Sequence, residues 1–257
     1  MRKFNLSKLF SNYSQKNNQI CPNSACGPTN MVQALEYAGW EWNNEFTQAF
    51  KQPEDCLLHF TRTNKDVLEY YRTKYKNMYD NWTEEASEIA EKKGIELWEA
   101  ECLKSYPPNE LHDVMSYATN LFIGYTAEDL KKLPKRPVTR FYNSFTESDV
   151  AKSILQEKPV VTSVVFRGGG HYVTIVGLVV DDNFDVDIAL GMDKVAAKAN
   201  CEHIIGYIID NTYGKFNFET NSYEAVTGND EEIPRSTFLS IVRPVSHFFS
   251  KGAATVC

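Results

Sequence analysis

Three short stretches of the 257-residue chain carry side chains that could together break an amide bond. The first is Asn23-Ser24-Ala25-Cys26-Gly27-Pro28-Thr29-Asn30. Asn23 or Ser24 can cap a helix here, and Pro28 suits a first turn, where proline's missing N–H costs nothing. Met31, Val32, Leu35, Tyr37 and Ala38 continue as an approximate helical stripe ending at Gly39. A helix is therefore expected to start almost on Cys26. The unpaired N–H groups and positive dipole end of that turn favour thiolate over thiol, so Cys26 is expected to have a lowered pKa and to act as a nucleophile. A free cysteine is more often inert packing, so the assignment needs a partner base.

The base comes from a second stretch. Pro159 to Phe166 and His171 to Val180 are β-branched runs separated by Arg167-Gly168-Gly169-Gly170, the pattern of a β-hairpin. His171 opens the second strand, and the glycines before it leave room for a substrate backbone beside the imidazole. The third stretch, Ile204 to Gly214, is an apolar strand ending in Asp210 and Asn211. An acid here can accept the second ring N–H of His171 and fix its tautomer, and Asp210 is assigned that role. Alternation along the strand allows only one of Asp210 and Asn211 to share the histidine's face.

The order Cys, His, Asp, in "ACGPTNMVQALEYAGW", "GGGHYVTIVG" and "IIDNTYG", resembles the papain-like cysteine peptidases. Within them it is most like the stand-alone relatives of the bacteriocin-leader (double-glycine) peptidases. The likeness covers roughly residues 12 to 40 and 145 to 245, and departs at Asn211, where proline is usual. It implies an α+β fold in which a helical half carrying the cysteine helix packs on an antiparallel sheet half carrying His171 and Asp210. It also implies an oxyanion-binding glutamine upstream of the cysteine. Gln15 matches the stand-alone relatives, and Gln19, seven residues before Cys26, is the alternative. No cofactor is required by such a site.

The rest of the chain must position these residues. A single domain spanning 1–257 is expected, with 52–140 as a helical insertion between nucleophile and base. Val67, Leu68, Tyr70, Tyr71, Tyr75, Met78, Tyr79 and Trp82 recur there at helical spacing, and Thr83-Glu84-Glu85-Ala86 reads as a new helix start. Such apolar helices must pack on something, and the Cys26 helix is the nearest partner in sequence. Residues 1 to 20 read as an arm leading to the cleft, anchored by Phe4, Leu6, Leu9 and Phe10. Trp40, Trp42, Phe46 and Phe50 read as packing around a short helix, and the tail from Ser250 as disordered.

A net charge of −7, with no interleaving of basic and aromatic residues, argues against nucleic-acid binding. Six cysteines without metal-ligand spacing argue against zinc. Cys21, the rival nucleophile, is held extended by Pro22. Asp181, Asn183, Asp185 and Asp187 alternate like the first half of a calcium loop, with Asp193 at its thirteenth position. The glycine and glutamate such a loop needs at its sixth and twelfth positions are missing, and a solvated turn is the plainer account. No signal peptide or membrane span is evident, so the chain is expected to be cytoplasmic as synthesised, reaching the cell envelope only through a separate export or lysis system. The function expected is a thiol hydrolase of peptide bonds, with peptidoglycan peptides as substrate. A protein-cleaving protease, a transamidating relative and an inactive binding module are the alternatives.

Overall fold

The computed structural model describes residues 1–6, 14–40, 50, 52–131, 139–166, 169–212, 216–217, 222–223 and 230–250. Leu9, Phe10, Trp42, Phe46 and the tail beyond 250 lie outside them. The elements that carry the site are α1 (Cys26–Tyr37), β3 (Val160–Phe166), β4 (Gly169–Val180) and β5 (Ile204–Asp210). The expected hairpin is present as β3 and β4, paired in register from Val160 opposite Ile175 to Phe166 opposite Gly169.

The main sheet, of seven strands among the described residues, runs β2 (Thr139–Tyr142), β9 (Val242–Phe249), β3, β4, β5, β8 (Glu231–Pro234). Its described pairings are all antiparallel. The N-terminus is a strand and not an arm to the cleft: β1 (Arg2–Asn5) pairs with the far half of β4. A Cβ at Gly177 would stand 2.3 Å from the Phe4 carbonyl, so only glycine lets β1 approach. A separate ribbon joins β6 (Phe216–Asn217) to β7 (Ser222–Tyr223).

Alternation sorts the β-branched residues onto two faces. Val160, Val164, Val173 and Ile175 pack with Val150 and Ile154 of α7 (Glu147–Leu155) and Phe238 of α10 (Arg235–Ile241). Val161, Tyr172 and Phe249 pack on the other side with Met31, Val32 and Leu35 of α1 and with Met115 of α5 (His112–Phe122).

The segment from residue 52 is helical as expected: α2 (Pro53–Thr63), α3 (Lys65–Lys74), α4 (Lys76–Lys93), α5 and α6 (Ala127–Lys131). Thr83 does not start a helix. It lies inside α4, where its hydroxyl bonds back to the carbonyls of Tyr79 and Asp80. The aromatic stripe closes a core of its own around Tyr71 and Trp82. That core reaches α1 through α2 and α5, whose Leu57 and Met115 lie in the α1 cluster. The stretch from Ile188 to Ala199, by pattern a short insert, is helical: α8 (Val186–Leu190) and α9 (Lys194–Asn200).

Candidate active site

Helix α1 starts on Cys26, but neither Asn23 nor Ser24 caps it: Ala25 holds the cap position with no side-chain bond. The loop before the cysteine is held instead by α2 and the turn at Pro108–Glu110. Asn109 Nδ2 donates to the Ser24 carbonyl at 2.7 Å, and the buried Arg62 donates to Asn109 Oδ1 at 2.9 Å and to the Trp98 carbonyl at 2.8 Å. A Cβ at Gly27 would lie 2.6 Å from the Asn109 carbonyl, so glycine is what allows this turn to sit on the helix start. The segment from residue 52 thus touches the turn that leads into Cys26.

The backbone N–H groups of Tyr172, Gly27 and Cys26 itself favour the Cys26 thiolate. Burial nevertheless pushes its pKa up to about 11, with the Glu110 carboxylate adding to the rise. The expected lowering is corrected: desolvation outweighs the helix N-terminus. Glu110, itself pushed up to about 7 by burial, is an acid that pattern reading overlooked.

His171 directly precedes Tyr172, so the candidate base and an amide that favours the Cys26 thiolate are consecutive residues. Its Nε2 lies 2.7 Å from the backbone carbonyl of Asn211. A carbonyl only accepts, which assigns the hydrogen to Nε2 and leaves Nδ1 unprotonated in the neutral ring. Burial lowers the imidazole to about 4, opposed by that carbonyl. The closed site is therefore a neutral thiol and a neutral imidazole at pH 7.

Asp210 pairs directly with Thr174, and His171, three residues away along the same strand, projects from the other face. The Asp210 carboxylate accepts from Gln33 Nε2 of α1 and from the Thr212 N–H at 3.2 Å. The structure thus brings the strand end to His171 through the Asn211 carbonyl, while the Asn211 side chain donates to Glu231 at 3.1 Å. Gln15 is buried beside this turn, its N–H on the Thr212 carbonyl at 2.9 Å and its Nε2 on the Pro22 carbonyl at 3.0 Å. Gln19 is exposed, with its backbone N–H on Asp55 at 3.1 Å. Asn30 and Gln33 were legible as a signal that the pattern reading did not use: with Cys26 they fall at i, i+4 and i+7, a polar line on the helix face that must meet the sheet.

Tyr172 is backed by a histidine pair. The ring of His112 stacks on it at 4.2 Å, and His112 Nδ1 lies 2.8 Å from Nε2 of the fully buried His247. Burial lowers His112 to about 4, with Arg243 adding to the fall and Asp113 opposing it. Burial also lowers His247 well below the ordinary range, with its His112 partner adding to that fall. A base with a depressed folded pKa binds its proton more readily when unfolded, so this stability is present above about pH 6.5 and is lost as pH falls towards 4. A melting temperature lower at pH 5 than at pH 7, by on the order of 5 °C, is expected. Substituting His247 by Phe should flatten that dependence.

The acidic turn is used locally. Asp181 meets His203 at 3.1 Å and the Asn183 N–H at 2.8 Å, while Asp185 and Asp193 cap α8 and α9. Asp187 lies in the first turn of α8. Among the described residues no group of three or more His, Cys, Asp or Glu side chains is arranged to hold a metal.

The Peptidase_C39 like family matches residues 8–186. The chain belongs to this family. It is a papain-like cysteine peptidase of the C39 type, a hydrolase whose substrates are peptides. The matched residues include Cys26 and His171 and run through 52–140, whereas Asp210 lies beyond them. No curated protein and no solved structure matches this peptidase significantly. No described helix is long and apolar enough to cross a membrane.

Proposed function

We propose that the peptidase cleaves peptide bonds with Cys26 as nucleophile and His171 as base. The observation that carries this is the Cys26 thiol beside the backbone amide of Tyr172, the residue that follows His171, whose own Nε2 is fixed by the Asn211 carbonyl. His171 Nδ1 takes the thiol proton as sulfur attacks the carbonyl carbon. The oxyanion is met by the Cys26 N–H and the Gln15 amide. The imidazolium then gives its proton to the leaving amine as the C–N bond breaks. Water, deprotonated by the same nitrogen, releases the acyl group and restores the thiol. Because thiol and imidazole rest neutral, proton transfer accompanies attack and does not precede it. Asp210 acts with Asn211 as the orienting strand end. No cofactor takes part, and calcium at the Asp181 turn is not needed for the chemistry.

The substrate class we assign is the cross-linking peptide of the bacterial wall, reached through a separate export or lysis system. The Glu110 carboxyl near Cys26 suits a substrate with a free amine, which the diamino acid of such peptides provides. Purified peptidoglycan and a mixed peptide library should be incubated with the protein and the products read by mass spectrometry. Cut stem peptides or cross-bridges are expected. Intact wall with cleaved library peptides would move the assignment to a protein-cleaving protease. Iodoacetamide should label Cys26 ahead of Cys21, Cys56 and Cys201, which are buried.

A further inference from the structure

Thr212 has φ of 53°, a left-handed backbone that a β-branched residue rarely adopts, and it is fully buried. Glycine or asparagine would take this conformation with less strain. A threonine there needs contacts that fix it, and the structure has them on every polar group of the residue. Its N–H is held by Asp210 Oδ1 at 3.2 Å, closing a turn of the Asx type. Its carbonyl accepts the Gln15 N–H at 2.9 Å. Its hydroxyl accepts from Asn30 Nδ2 at 3.2 Å and donates to Gln15 Oε1 at 3.5 Å.

Asn30 extends this latch to the reacting residues. The same Nδ2 reaches the carbonyls of Cys26 and Tyr172, both at 2.9 Å, and Asn30 Oδ1 accepts from Thr174 Oγ1 at 2.8 Å. One buried amide therefore joins the nucleophile's residue, the strand behind the base and the turn that presents the Asn211 carbonyl. Asn211 lies between Asp210 and Thr212, so the left-handed turn decides where its carbonyl points.

We infer that Thr212 is a positioning residue: latched to Asn30 and Gln15, it holds the Asn211 carbonyl on His171 Nε2 and so keeps Nδ1 unprotonated, the tautomer the proposed base needs. The role rests on the assignment of Cys26 and His171 above. It accounts for a polar, strained residue in a place where a glycine would fold at least as well.

The test needs no substrate. Long-range ¹H–¹⁵N spectra report the His171 tautomer, and iodoacetamide reports the rate of Cys26 alkylation at pH 7. The parent protein should show the Nε2–H tautomer alone. Thr212→Gly accepts the backbone but removes the hydroxyl. It is expected to melt within a few degrees of the parent, to show both tautomers, and to alkylate Cys26 on the order of tenfold more slowly. Thr212→Ser keeps the hydroxyl and should restore the parent tautomer and rate. Should the glycine variant fail to fold, Thr212→Ala is read in the same way. A folded glycine or alanine variant with the parent's tautomer and alkylation rate would overturn the inference. A parent protein whose Cys26 is no more reactive than Cys21 would instead remove the active-site assignment beneath it.

Discussion

Cys26→Ala is expected to lower peptide hydrolysis by about 10⁴-fold or more while leaving the protein folded. The sulfur makes the covalent bond in the proposed pathway, and neither of its neighbours can replace it. Tyr172 offers only its amide, and the buried Cys21 sulfur is occupied by Arg62 at 3.3 Å and the Glu99 carbonyl at 3.3 Å. The truncation takes one acceptor from the Tyr172 N–H at a partly buried position, so the melting temperature should move by only a few degrees. Steady-state hydrolysis of a peptide found in the library screen, with calorimetry on the same sample, is the measurement. Residual activity within a hundredfold of the parent would mean that another group attacks the carbonyl.

Arg62→Ala should have the largest effect on folding, a loss of about 3–5 kcal/mol, or on the order of 10 °C in melting temperature. The guanidinium is 1% exposed and bonds Asn109, the carbonyls of Trp98 and Ala100, the Cys21 sulfur and, at 3.4 Å, the Ser24 hydroxyl. Alanine leaves those acceptors buried without donors, and it frees the loop that leads into Cys26. Activity should fall even below the melting transition. Lysine is not expected to rescue it, because an ammonium cannot reproduce the planar fork that spans these partners. Unfolding in urea, followed by far-ultraviolet dichroism, checks the stability. A loss below 1 kcal/mol would show that the loop is held by other contacts.

The parts of this protein legible in its sequence are those set by local periodicity and turn chemistry. The α1 stripe up to Gly39, whose φ is +91°, and the β3–β4 hairpin followed from spacing alone. What escaped was long-range. Arg2 to Asn5 is too short to announce a strand, and its pairing with β4 depends on the gap at Gly177. Cys26 sits at a helix start as the pattern required, but its ionisation depends on burial by distant segments, which no local rule supplies. Asp210 ends β5 as the pattern required. Its face depends on the β4–β5 register, which turns its carboxylate towards Gln33. Thr212 carried no signal at all, since its strain appears only in the folded backbone.

The order of the main sheet also bears on when the enzyme can first work. Strand β9, at residues 242–249, lies between β2 and β3, and it carries the His247 that backs His112 and Tyr172. The residues of the proposed chemistry all precede it in the chain, yet the sheet beneath them lacks an inner strand until residues 242–249 have left the ribosome. Non-local pairing of this kind is slow to form, so on the proposed chemistry the backing of Tyr172 by His112 and His247 is complete only once β9 has joined the sheet.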